Sequence, residues 1–133
     1  MQFKFDNSGE GRALLRAIIA AKFTETPQDK DVLASPPLAT IAWQIRSAVE
    51  KDDLEELGDQ AAKSWARWSK FDENREDWNI ALKNGAKIFR DFWHTWSGDS
   101  QIANCRYLLS PFVVQDDVIH RFVSAIQQEI TAR

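Results

Sequence analysis

Apolar residues recur at intervals of three and four positions through most of this 133-residue chain. That spacing lines one face of an α-helix, whereas the apolar residues of a half-buried strand alternate with polar ones. Residues that can cap a helix stand before several of these stretches, and Ser35 is followed directly by two prolines. The pattern predicts an all-α fold. The predicted helices cover residues 9–23, 27–34, 36–51, 53–70, 73–96, 100–109 and 116–131.

Short connections link these segments, which is typical of helical bundles. The chain contains no low-complexity tract, domain linker or internal repeat. We therefore expect one domain over residues 1–133, built as a compact bundle of six or seven helices. Before the first helix, Met1, Phe3 and Phe5 alternate with polar residues, and this part can form a short extended N-terminal arm.

A glycine interrupts the apolar stripe of the longest predicted helix, 73–96. The stripe consists of Trp78, Leu82, Gly85, Phe89, Phe92 and Trp96. Glycine inside a helix costs about 1 kcal/mol of stability relative to alanine. We therefore expect a neighbouring helix to pass close to Gly85.

The charge of the chain argues against a general nucleic-acid binder. The formal net charge is −3, whereas such proteins usually present a basic surface. One basic ridge is nevertheless present, because Lys83, Lys87, Arg90 and His94 lie opposite the apolar stripe of their helix. An ordinary solvated helix face has the same pattern. Binding of nucleic acid through Lys83, Lys87 and Arg90 is kept as an alternative.

The apolar runs are at most about five residues long, whereas a membrane-spanning helix needs about twenty. The first residues also lack the basic region and apolar run of a secretory signal. The single cysteine, Cys105, excludes a disulfide within the chain and suits a reducing compartment. We expect a cytoplasmic protein that does not enter the membrane.

Two acid–histidine pairs have a spacing that can bind metal on a helix, namely Asp91 with His94 and Asp117 with His120. Metal ligands of helical bundles project inward. The helical spacing instead places both pairs away from, or at the flank of, the apolar stripes. We therefore predict that neither pair is a metal site.

Cys105 shares a helix face with Ile102 and Leu109, which predicts a buried thiol. The sequence also lacks the motifs of serine hydrolases, zinc proteases, nucleotide-binding loops and disulfide oxidoreductases. We predict no catalytic residue, no metal and no cofactor, and we favour a protein without enzymatic activity.

Six tryptophans can serve either as core side chains or as anchors of an interface. Trp43 lies about 155° around its helix from the apolar stripe, next to Arg46. Either Trp43 is exposed and binds a partner, or this helix is buried on two sides.

The densest run of charge is acidic and contains Asp52, Asp53, Glu55, Glu56 and Asp59. Asp52 can cap the helix predicted from residue 53, where the helix dipole favours carboxylates. A docking surface for a basic partner is the other interpretation. The candidate partner-binding residues are therefore Trp43, Arg46, Asp52, Asp53, Glu56 and Asp59.

These features favour a non-enzymatic domain that binds another protein, such as a small accessory subunit or an inhibitor of the immunity type. One alternative is a small-ligand-binding protein or enzyme with an aromatic-lined pocket. The pocket would be lined by Trp65, Trp68, Trp78, Phe89 and Trp96. The other alternative is a nucleic-acid-associated helical subunit that uses the basic ridge.

Overall fold

The structure, a computed structural model, describes residues 8–132, and over this range the chain is all-α as predicted. The predicted N-terminal arm lies outside the described residues. The α-helices are α1 (Ser8–Lys22), α2 (Pro36–Leu57), α3 (Asp59–Ser69), α4 (Glu76–Phe89), α5 (Gly98–Leu109) and α6 (Asp116–Thr131). Two short 3₁₀ helices are formed by Lys30–Val32 and Trp93–Thr95.

The break between the second and third α-helices lies at Gly58, not at Asp52. Helix α2 continues through Asp52 to Leu57, so the prediction that Asp52 caps a new helix is wrong. Gly58 has a φ of 59°, a conformation that glycine adopts without steric cost. Its backbone N–H still donates to the carbonyl of Leu54, four residues earlier, and its positive φ then ends α2.

Two other predicted helices are shorter in the structure. The segment predicted over 27–34 keeps only the 3₁₀ turn Lys30–Val32, which the side chain of Asp29 caps. The long helix predicted over 73–96 ends at Phe89, and a turn follows. The turn removes Phe92 from the inner face, so the prediction that it lies in the apolar stripe is wrong, and its side chain is 57% exposed.

The buried side chains form two clusters. The larger one lies among α4, α5 and α6 and includes Trp78, Phe89, Trp93, Phe122 and Ile126. The smaller one lies among α1, α2 and α3 and consists of Leu15, Ile45, Val49, Ala61 and Trp65. Trp68 packs against both clusters, so the two groups of helices share one boundary.

At Gly85, α4 lies close to side chains of α5 and α6, as the position of this glycine in the apolar stripe predicted. A Cβ atom at this position would lie 2.7 Å from Leu108 Cδ2 and 2.8 Å from Ile126 Cδ1. Both distances are far below van der Waals contact. A side chain at this position would therefore force the ends of the Leu108 and Ile126 side chains to move.

Replacement of Gly85 by valine is expected to lower the free energy of unfolding by about 3 kcal/mol, because the added methyl groups overfill a packed core. Lys83→Val, on the exposed face of the same helix, should change it by less than about 0.5 kcal/mol. Denaturant titration of both variants measures the difference. Equal stabilities would show that α5 and α6 do not press on α4 at Gly85.

The connection between α5 and α6 joins the two clusters through the ring of Phe112. Its ring centroid lies 4.9 Å from that of Trp68, 5.3 Å from that of Phe71 and 5.5 Å from that of Phe23. The guanidinium carbon of Arg75 lies 4.4 Å from the same centroid, within the range of a cation–π contact. Phe112 thus contacts one residue that follows α1, one residue of α3 and two residues that precede α4.

Lys22, at the end of α1, caps the C terminus of α5 from within the protein. Its side-chain nitrogen donates to the carbonyls of Tyr107 at 2.8 Å and Ser110 at 2.7 Å, and lies 2.5 Å from Ser110 Oγ. A cation is favoured there by the helix dipole. Lys22 is only 3% exposed, and this burial lowers its pKa to about 7.

Both protonation states of Lys22 can satisfy this network. The ammonium donates to all three oxygens, while Ser110 Oγ donates to the Tyr107 carbonyl at 2.8 Å. The neutral amine donates to the two carbonyls and accepts the hydroxyl proton of Ser110. Titration of Lys22 therefore needs no change in backbone structure.

The loss of a proton from Lys22 is expected to raise the free energy of unfolding by about 2 kcal/mol between pH 7 and about pH 9. The pKa of Lys22 is about 7 in the folded protein against a model value of 10.5, so the unfolded chain binds more protons in this range. Denaturant titrations of the wild type and of Lys22→Met across this range measure the effect. Parallel curves for the two proteins would contradict it, since methionine carries no titrating group.

Candidate functional site

The acidic run predicted as a docking surface lies around the turn that joins α2 to α3. We call the exposed residues Leu54, Glu55, Glu56, Leu57 and Asp59 the α2–α3 corner. Leu54 is 40% exposed and Leu57 is 56% exposed. The three carboxylates are exposed and form no ion pair with any residue that the structure describes. The corner therefore combines apolar surface with three carboxylates that form no ion pair within the described range, and Lys51 is a basic neighbour that lines a cleft with Leu54 and Glu55.

Asp53 differs from its acidic neighbours because it points into the protein. It is 3% exposed, and its carboxylate accepts hydrogen bonds from the guanidinium of Arg12 and, at 2.8 Å, from the indole nitrogen of Trp65. One carboxylate thereby connects α1, α2 and α3. Asp52 is half-buried, so the predicted carboxylates that face solvent fully are Glu56 and Asp59.

Trp43 and Arg46 lie on a different part of α2, where Trp43 packs against α5. The indole nitrogen of Trp43 donates to the carbonyl of Phe112 at 3.2 Å, and its ring lies 6.3 Å from that of Tyr107. Arg46 pairs with Glu50 at 3.0 Å, while its Nε atom is buried without a hydrogen-bond partner among the described residues. Helix α2 is therefore packed on two sides, by α1 and by α5.

A groove of about 400 Å³ separates α1 from α3. We call it the α1–α3 groove. Its lining residues are Arg12, Leu15, Arg16 and Ile19 of α1, Asp53 and Leu57 of α2, and Gln60, Ala61, Ser64, Trp65 and Trp68 of α3. This volume is within the usual range for small-molecule sites. Apolar and polar side chains converge in this groove.

The walls of the α1–α3 groove are apolar, and one edge is basic. The rings of Trp65 and Trp68 meet edge to face with their centroids 5.1 Å apart. Arg12 is paired with Asp53 but keeps 45% of its side chain exposed. Arg16 is exposed and has no ion-pair partner among the residues described. With two guanidiniums and one carboxylate, the groove carries one net positive charge.

An aromatic-lined pocket is one of the alternatives that the sequence leaves open, and this groove contains only two of its five residues, Trp65 and Trp68. Trp78 and Phe89 are buried in the larger cluster, and Trp96 packs on Phe89 with 5.3 Å between ring centroids. The polar lining is not part of the predicted pocket, although Arg12 with Arg16 and Gln60 with Ser64 each have a spacing of four residues. Such pairs share a helix face, but nothing in the sequence places α1 opposite α3.

The basic ridge of α4 lies in a region of mixed charge. Lys83 and Lys87 line one shallow cleft together with Glu25 and Glu76. Arg90 is exposed and follows the end of the helix. The acidic neighbours reduce the positive potential that a phosphate backbone would meet.

The two acid–histidine pairs, Asp91 with His94 and Asp117 with His120, are exposed, in keeping with their predicted orientation. Asp117 forms an ion pair with Arg121, with 3.4 Å between the charged atoms. Within residues 8–132 no group of three or more potential ligands is arranged to hold a metal ion. Cys105 is fully buried as predicted, and its burial raises the thiol pKa to about 12.

No protein-family model, curated protein or solved structure matches the chain. Among the described helices, none has the length and apolarity needed to cross a membrane. Function is therefore inferred from the side chains of this chain alone.

Trp43→Ala is expected to lower the free energy of unfolding by about 3 kcal/mol, because it removes a large, partly buried ring. Trp43→Phe keeps an aromatic ring but loses the hydrogen bond to Phe112, and should cost about 1 kcal/mol. Denaturant titration measures both, with Ser47→Ala as an exposed control on the same helix. A loss well below 1 kcal/mol for Trp43→Ala would mean that this side chain is a free surface anchor.

Proposed function

We propose that the chain is a non-enzymatic protein-binding domain and that the α2–α3 corner is its docking surface. The supporting observation is the presence of two exposed leucines among carboxylates that have no ion-pair partner in the described part of the chain. Exposed apolar side chains bordered by charged ones are typical of a binding surface with an apolar centre and a polar rim.

The chemistry of the corner selects a basic partner with apolar side chains. Full burial of a leucine contributes about 1.5–3 kcal/mol, so Leu54 and Leu57, which are already partly covered, would each add about 1 kcal/mol. Glu55, Glu56 and Asp59 would attract lysines and arginines, which raises the association rate and excludes acidic competitors. An amphipathic helix with a basic edge combines both properties.

Two biological settings fit such a domain, a small accessory subunit of a complex and an inhibitor of the immunity type. We place the protein in the cytoplasm, because its one cysteine is a buried free thiol and suits a reducing compartment. The nucleic-acid alternative has less support, since Lys83 and Lys87 share their cleft with Glu25 and Glu76.

A random peptide library displayed on phage should yield a defined consensus with the wild-type protein as bait. We expect lysines and arginines interleaved with apolar residues at helical spacing, because the corner presents leucines and carboxylates together. The double variant Glu55→Lys with Glu56→Lys should lose these peptides, and synthetic consensus peptides should bind it at least tenfold more weakly.

The matched control is Asp31→Lys with Asp91→Lys, which changes the net charge equally at exposed acids away from the corner. This control should retain the consensus peptides. The proposal fails if the wild type enriches no consensus, or if both double variants lose the peptides to the same extent.

A further inference from the structure

The α1–α3 groove has the opposite electrostatic character to the corner beside it. Its one carboxylate, Asp53, is buried and already accepts hydrogen bonds from Arg12 and Trp65. The remaining charge is the guanidinium of Arg16, for which the structure shows no ion pair among residues 8–132. An anion entering the groove would thus meet an uncompensated cation, and a cation would be repelled.

The charged and apolar parts of the groove are arranged along its length. Arg12 and Arg16 are one helical turn apart, about 6 Å along α1, with Gln60 and Ser64 on the facing helix. Beyond them, Ile19 and Trp68 form an apolar end. From Arg12 to Ile19 the helix rises by about 10 Å. The groove therefore fits an elongated molecule with one polar end.

We propose that the α1–α3 groove binds a small amphipathic monoanion, an aliphatic carboxylate with an unbranched chain. Its carboxylate contacts Arg16 and the exposed edge of Arg12, and accepts hydrogen bonds from Gln60 and Ser64. Its chain lies along Leu15 and toward Ile19 and Trp68. The single net positive charge of the groove matches one carboxylate better than a doubly charged phosphate.

This site shares Leu57 with the proposed docking surface, but its charged and polar groups are Arg12, Arg16, Gln60 and Ser64 and not Glu55, Glu56 or Asp59. Arg12 is unsuitable for a test, because its removal would leave the buried carboxylate of Asp53 without its cation. Arg16 and Ser64 are exposed, so substitutions there test the groove without disturbing the core.

Octanoate is a suitable probe, and octan-1-ol and octylamine carry the same chain with a neutral or a positive head. Isothermal titration calorimetry should show saturable binding of octanoate, at least tenfold tighter than that of octylamine. Arg16→Gln should weaken octanoate about tenfold and leave octan-1-ol unchanged. Arg67→Gln, an equal charge change on α3 outside the groove, should leave octanoate binding unchanged.

A bulky side chain at the groove wall provides a second test. Ser64→Trp should fill the groove and abolish octanoate binding, whereas Ala62→Trp, on the same helix but outside the lining, should not.

In nuclear magnetic resonance spectra of the wild type, octanoate should shift the indole N–H signals of Trp65 and Trp68 and not that of the buried Trp93. Octylamine binding as tightly as octanoate, unaltered binding by a folded Ser64→Trp protein, or no saturable binding would each overturn the proposal.

Discussion

The contacts of residues 110–112 hold the two groups of helices together, and the rest of the structure depends on them. Lys22 donates to the Ser110 carbonyl, and Trp43 donates to the Phe112 carbonyl. The ring of Phe112 packs on Trp68, which contacts both buried clusters and also lines the α1–α3 groove. The shape of the groove at that end is therefore set by a connection that lies far away in sequence.

Asp53 is the second constraint, and it separates the charges of the surface. A buried carboxylate destabilises the fold unless it is paired and hydrogen-bonded. Arg12 and Trp65 satisfy it, which holds α1 and α3 on either side of α2 and leaves the groove between them. The outcome is a basic groove edge on one side and an acidic corner, including Glu55 and Glu56, on the other.

The error at the end of α2 shows why the candidate site was only partly predictable. A helix that begins after Asp52 would place Asp53 in its first turn, where the helix dipole favours a carboxylate. In the continuous helix it lies four residues after the buried Val49, on the same face, and is buried with it. Gly58 was the available signal, because glycine readily adopts the positive φ that ends a helix.

The sequence by itself determined the all-α fold, the inward faces of most helices and the close approach at Gly85, because spacing and side-chain volume are local properties. It also indicated Trp65 and Trp68 as pocket residues. Only the tertiary structure decided that Arg12 and Arg16 face these rings, and that Asp53 turns inward. Helical periodicity identifies which face of each helix is apolar, but the helix it meets depends on contacts between residues as distant as Lys22 and Ser110.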